Sequence, residues 1–319
     1  MTNPMRKTIL LLFFGFQFLA AAEKDSLSGN PFTPMRMAFD CDACGCSASG
    51  GSMGFSSMLD EHFVGVRYLY QKYTSRDGIF ANSPWVEEHF NTAQLWARIP
   101  VSRKIQLMAL LPYHFHNREL SSGNQKIEGL GDMTLMGFYT LYKTQKDSVA
   151  WRHTIQLGSG IKAPTGKYRE SANAGSVNPS FQVGTGSWDY LFAAEYALEY
   201  RSWGLNLLGN YVVKTENDKA YRFGNQFNYG ATAYYKLSRK TVMLVPQGGL
   251  AGEVYAPNYQ HGQRLADTSG EVLFGKIGLE AGKGRFSAGL QYMTPIAQQL
   301  SGGNVKAGYR FSLNLNYSL

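Results

Sequence analysis

The last ten residues, Arg310 to Leu319, alternate without a break. Phe311, Leu313, Leu315, Tyr317 and Leu319 fall on one side, and Arg310, Ser312, Asn314, Asn316 and Ser318 on the other. Side chains along a strand point to opposite faces with period two, so this segment predicts a strand with one apolar and one polar face. The apolar face continues to the final residue, where a soluble strand would fray. Lipid outside and water inside produce such a segment in an outer-membrane barrel.

From His62 onward the same alternation recurs in twelve segments separated by turn signals. The first sets Val64, Val66, Tyr68 and Tyr70 outward against Arg67 and Gln71. The second sets Ala93, Leu95, Ala97 and Ile99 against Thr92, Gln94, Trp96 and Arg98, and the third carries Ile105, Leu107, Ala109, Leu111 and Tyr113. The fourth runs near Asp132 to Lys143 and the fifth near Trp151 to Lys162. In the sixth, Trp188, Tyr190, Phe192, Ala194, Tyr196, Leu198 and Tyr200 face out while Asp189, Glu195, Glu199 and Arg201 face in. The seventh opposes Leu205, Leu207, Tyr211 and Val213 to Asn206 and Asn210, and the eighth opposes Phe223, Phe227, Tyr229, Ala231 and Tyr235 to Gln226, Asn228, Thr232 and Lys236. The last four cover Thr241 to Tyr255, Glu271 to Ala281, Arg285 to Thr294 and Lys306 to Leu319. Two residues break the pattern. His153 falls on the lipid side of the fifth segment, and Pro246 interrupts the ninth, where a bulge or the end of the strand is expected.

Links after the even-numbered segments are short, such as Ser102-Arg103 and the single Ser202. Those after odd-numbered segments are mostly longer, the longest from Pro164 to Ser187. Short turns belong to the periplasm and long loops to the exterior in barrels of this kind, so both termini are expected in the periplasm.

The first residues fit export. Arg6 and Lys7 precede an apolar core from Thr8 to Leu19 and the small residues Ala20 to Ala22, the form of a signal peptide over 1–22. No cysteine follows that site, which speaks against a lipoprotein anchor. The expected organisation is a signal at 1–22, a periplasmic Cys/Gly/Met-rich arm or plug at 23–60, and a barrel at 61–319. The fold class is all-β: a transmembrane antiparallel β-barrel of about twelve strands with an N-terminal cysteine-containing arm.

Composition agrees: 20 Tyr, 19 Phe and 35 Gly supply aromatic girdles and close strand packing. The net charge of +8, two of it in Arg6 and Lys7, is scattered. That is a poor fit to nucleic acid, and lipid phosphates or anionic solutes are better counter-charges.

Chemistry concentrates in Cys41, Cys44 and Cys46. Three thiolates within six residues can converge on a soft ion such as Cu(I) or Zn(II), with Met35, Met37, Met53 and Met58 nearby as thioether ligands. The alternative in an oxidising periplasm is a disulfide with one thiol left for a partner. His114 and His116 share one face of the third segment, on the lumen side, and could bind a transition metal in transit or serve as polar lining. Inward Arg67, Arg98, Glu195, Glu199, Arg201 and Lys236 form either a selectivity lining or a mutually neutralising network.

Three stretches carry a family resemblance: Gly129 to Leu135 (GLGDMTL), Gly160 to Tyr168 (GIKAPTGKY) and Gln182 to Asp189 (QVGTGSWD). In that order the chain resembles the outer-membrane channel family named after the meta pathway of phenol degradation. The resemblance implies an outer-membrane β-barrel passing small, often hydrophobic, solutes, and it assigns no functional residue. The phospholipase type of twelve-stranded barrel has a His-x-Ser pair that this chain lacks, since Thr154-Ile155 follows His153 and Phe115-His116 follows His114. No nucleophile elbow or phosphate loop is present, so no enzyme activity is expected. The leading expectation is a solute channel in the outer membrane, contacting lipid and a small solute. The alternative is a copper-handling outer-membrane protein using the cysteine arm with a periplasmic metal or thiol partner.

Overall fold

The computed structural model describes residues 62–76, 83–120, 123–144, 150–168, 181–239 and 241–319. The signal and the arm, with Cys41, Cys44 and Cys46, lie outside the described residues.

The strands are β1 (Phe63–Arg76), β2 (Trp85–Pro100), β3 (Ile105–Leu120), β4 (Gly123–Leu130), β5 (Met133–Lys143), β6 (Trp151–Ala163), β7 (Asp189–Tyr200), β8 (Trp203–Lys214) and β9 (Tyr221–Arg222). There follow β10 (Gln226–Tyr235), β11 (Leu237–Arg239), β12 (Val242–Tyr255), β13 (Tyr259–Gln260), β14 (Gln263–Arg264), β15 (Gly270–Lys283), β16 (Phe286–Leu300) and β17 (Val305–Ser318). Each long strand pairs antiparallel with the next in sequence, and β1 pairs with both β2 and β17, which closes the ring. Two staves are broken. The lower half of β3 pairs with β5 and its upper half with β4, so β4 and β5 are one stave interrupted at Gly131-Asp132. Likewise β10 and β11 both pair with β12, on either side of Lys236. The result is a closed, twelve-stranded antiparallel barrel, with β9, β13 and β14 forming a small separate sheet in the long links.

Closure leaves the ring of long strands without a free edge, although β4 pairs with β3 alone and β11 with β12 alone among the described residues, and the alternation decides which face meets which medium. Leu95, Leu157, Phe192, Leu290, Leu313 and Leu315 are exposed on the outer wall, while their strand neighbours Gln94, Gln156, Gln291, Ser312 and Asn314 are buried inside. Among the described residues no helix is long and apolar enough to cross a membrane, so a crossing falls to the strands. A 14-residue strand such as β1 spans about 46 Å and, at a tilt near 40°, rises about 35 Å, more than the ~25 Å apolar band of such barrels. The excess stands at the long-link end. There the outer face meets water and the inner face can be apolar, which inverts the pattern: in β4, Lys126 and Glu128 point out and Ile127 points in.

That inversion explains the first departure from the sequence reading, in which the fourth strand begins only at Asp132. A second concerns Pro246, where a bulge or strand end was expected. β12 runs through it in unbroken register with β15, Pro246 opposite Leu279. The missing N–H is accommodated by the neighbour instead: ladder pairing lapses between Tyr234↔Gln247 and Leu237↔Leu244, and the Lys236 N–H turns to the Ser202 carbonyl at 2.8 Å. A third concerns Phe223, expected on the outer wall. It precedes β10 and is buried against Tyr221, with ring centroids 4.8 Å apart. His153 does face outward, near the short-turn end, where its Nδ1 lies 2.8 Å from the Tyr196 hydroxyl.

Candidate functional site in the barrel interior

The three stretches that carry the family resemblance lie far apart along the barrel chain, and the fold brings them to one place. Asp132 occupies the break between β4 and β5, where no ladder bond constrains it. One of its carboxylate oxygens accepts the Gly166 N–H at 3.0 Å. The other accepts the Thr185 N–H at 2.8 Å and the Thr185 hydroxyl at 2.7 Å. Lys162, at the end of β6, bridges Asp132 (3.2 Å) and Asp189 (2.6 Å), and Lys214 of β8 approaches Asp189 at 3.4 Å. All four charged groups are nearly inaccessible to water. Charges so buried persist only when paired, and here each cation meets at least one carboxylate.

The effect is to hold Gly166 and residues 181–185 of the β6–β7 link inside the barrel. Residues 181–185 are buried, and their path requires two glycines back to back: a Cβ on Gly184 would sit 2.5 Å from Gly166 backbone atoms. Phe181 then packs among inner-wall aromatics, 6.0 Å from the Phe90 ring and 4.9 Å from the Arg118 guanidinium. Gly131 serves the same corner differently: a Cβ there would meet His114 Nε2 at 2.3 Å. Gly131, Gly166 and Gly184, one in each stretch, therefore mark close approaches of the backbone.

His114 and His116 do share the inner face of β3, with ring centroids 4.9 Å apart. His114 Nδ1 lies 2.9 Å from the Thr92 hydroxyl, and His116 Nδ1 accepts the Asn91 N–H at 3.1 Å. Both are inaccessible, and among the described residues no group of three or more His, Cys, Asp or Glu could hold a metal ion. The pair is part of the packed interior.

Toward the long-link end, an apolar cluster including Leu69, Phe90, Phe181, Val272 and Phe274 fills the interior. Through it passes an ion pair: Arg310 of β17 grips Glu253 of β12 through both terminal nitrogens (2.6 and 2.9 Å), bonds the Tyr73 hydroxyl, and lies 4.1 Å over the Phe274 ring. The two strands are three staves apart, so the pair crosses the interior as a chord.

Nearer the short-turn end lie most of the residues expected to line the lumen. Arg67 bonds Gln94 and stacks 4.4 Å from the Trp96 ring. Arg98 bonds Gln106 and Gln156, each at 2.7 Å, and pairs with Glu195 at 2.9 Å. Glu199 pairs with Lys236 and with Arg152 (2.7 Å) and accepts the Tyr234 hydroxyl at 3.0 Å. Arg201 is the exception: it occupies the tight β7–β8 turn with φ +54°, exposed, its guanidinium 5.2 Å from the Tyr200 ring. The alternation ends where the chain turns, so parity could not place it. Sequence reasoning left Asp132, Lys162, Lys214, Glu253 and Arg310 out of the site. The signal was available, since each is a charge of inward parity or next to a glycine in the family stretches.

A closed twelve-stranded barrel with an apolar outer belt and buried, ion-paired side chains inside defines a small membrane-type barrel rather than a wide porin. The family described as "Putative MetA-pathway of phenol degradation" matches residues 92–311, and the chain belongs to that family. An outer membrane channel from Pseudomonas putida F1 superposes with a TM-score of 0.62 at 15% sequence identity, over 82% of this chain and 97% of that one. The β domain of the Bordetella autotransporter BrkA gives 0.48 at 11% identity, over 82% and 100%. The CymD monoaromatic hydrocarbon channel gives 0.39 at 9%, over 88% and 94%. The first similarity bears out the fold; the other two carry no weight. No curated protein matches the chain.

Proposed function

We propose that the protein is a bacterial outer-membrane channel for small, weakly polar solutes, with its long links outside the cell and both ends of the barrel chain in the periplasm. The observation that carries this reading is the interior itself. Aromatic side chains (Phe90, Phe138, Phe181, Phe274) alternate there with ion-paired charges such as Arg98, Lys162 and Arg310. Such a lining offers apolar contact between charges that largely neutralise one another, which favours small, weakly polar solutes over large hydrophilic ones. Family membership supports the same solute class. The orientation follows from turn length, together with the Leu319 N–H bonding the His62 carbonyl at 3.2 Å, which puts both barrel ends at the short-turn rim. No described residue favours the copper-handling alternative.

Uptake by proteoliposomes tests the solute class. Neutral solutes the size of one aromatic ring are expected to enter several-fold faster than into empty liposomes, and disaccharides no faster. Equal entry of both would replace this reading with a general porin. An epitope inserted at Gly262, between β13 and β14, should be labelled on intact cells, whereas one in the Arg103-Lys104 turn should not. The reverse labelling would invert the orientation.

A further inference from the structure

The interior does not use the cations of the short turns. Arg103 and Lys104 lie between β2 and β3, Arg201 between β7 and β8, Arg239 at the end of β11, and Lys283 and Arg285 flank Gly284 between β15 and β16. All six are exposed, and the described residues of these turns include no acidic side chain. Aromatic rings stand beside them: Lys104 is 5.9 Å from the Tyr139 ring centroid, and Arg285 is 5.8 Å from that of Tyr317. Cations and amphipathic rings at one rim suit the boundary where acyl chains give way to phosphates.

At one point this rim meets a groove of about 520 Å³ in the outer wall. Its origin is a gap in side-chain size. Ala281 and Ala288 stand opposite each other in the β15–β16 ladder, while Leu95, Leu315 and Phe286 around them are large and exposed. Lys283 belongs to the groove lining and pairs across the ladder with Phe286. Arg285 donates to the Tyr317 hydroxyl at 3.2 Å on the same edge. The lining is mostly apolar, contains no acidic residue, and ends at Lys283, with Arg285 beside it on the Tyr317 hydroxyl.

We propose that this groove holds one anionic phospholipid, an acyl chain over Ala281 and Ala288 and the phosphate on Lys283 and Arg285. The inference rests on the orientation given above, which puts the short turns in the phospholipid leaflet rather than the lipopolysaccharide leaflet. Selectivity comes from charge at the rim, and residence from the filled hollow.

The test is native mass spectrometry of the full chain released from detergent after incubation with phosphatidylglycerol, phosphatidylcholine of the same acyl chains, or lipid A. The wild type is expected to retain one phosphatidylglycerol with roughly thirtyfold preference over phosphatidylcholine, the order two surface cations supply. The pair Lys283→Gln and Arg285→Gln should abolish that preference. Ala288→Leu should lower retention of both phospholipids by filling the hollow, and Arg103→Gln with Lys104→Gln should change neither. Heat-modifiable gel mobility identifies folded barrels in every case. Equal loss in the Arg103/Lys104 variant would overturn the localised site in favour of a diffuse collar. Absence of any preference among the three lipids overturns the assignment alone, whereas preference for lipid A overturns both the assignment and the orientation on which it rests.

Discussion

Asp132→Ala is the most informative single change, because one carboxylate pins both Gly166 and Thr185 of the β6–β7 link. Its removal strips the acceptor from the Gly166 and Thr185 N–H groups and from the Thr185 hydroxyl. It also takes one of the two carboxylates near Lys162, which keeps Asp189 at 2.6 Å. A buried donor left without a partner costs about 1–3 kcal/mol, and breaking a buried ion pair about 3–5 kcal/mol. Because Lys162 remains paired, the expected loss is about 3–5 kcal/mol in total rather than the sum. The chain has one way to lessen it: the link can leave the interior, giving its N–H groups to water at the expense of the packing of Phe181 and Val183. Two readouts therefore move together. The urea midpoint, followed by gel mobility of the folded form, should fall, and single-channel conductance in planar bilayers should rise by at least twofold. Asp132→Asn keeps shape and one acceptor and should lie between. A stability within about 0.5 kcal/mol of wild type with unchanged conductance would refute the role given to Asp132.

Three further outcomes are expected. Glu253→Gln leaves the Arg310 guanidinium buried without its carboxylate and should cost about 3–5 kcal/mol, while Glu253→Gln combined with Arg310→Met should recover most of that in the same urea titration; equal losses would show that the stranded guanidinium is not what costs. Phe192→Arg, on the outer wall, should cost about 2–4 kcal/mol in refolding into lipid vesicles, whereas Ser312→Ala on the inner wall should cost under about 1 kcal/mol; the opposite ranking would mean that inside and outside are exchanged. Gly184→Val forces a Cβ into the Gly166 backbone and should raise conductance as Asp132→Ala does, without touching a charge; wild-type conductance would show that the link has room to spare.

Strand number, order, the outer face and the inward direction of Arg67, Arg98, Glu195, Glu199 and Lys236 were legible because lipid imposes a rule on every second residue. The legibility ended where the lipid ends. In β4 the outer side chains are Lys126 and Glu128 and the inner one is Ile127, so a search for apolar-out alternation passes over a real strand. Phe223 misled for a related reason: an aromatic residue in a link can be buried by that link's own neighbours. Pro246 was legible as a defect but not as to which strand would yield, since the answer lies in the partner's Lys236. The Asp132 cluster was half visible. The family stretches marked the place, and only the fold could show that three distant turns converge on one carboxylate.

Whether the protein is a channel depends on whether the barrel conducts, and planar-bilayer recording of the purified wild-type protein asks this directly. A channel gives discrete, small conductance steps that enlarge when Asp132 is replaced. Incorporation of folded, heat-modifiable protein with no steps above bare lipid, in wild type and Asp132→Ala alike, would contradict the channel function and leave a closed barrel whose interior serves only to hold it together.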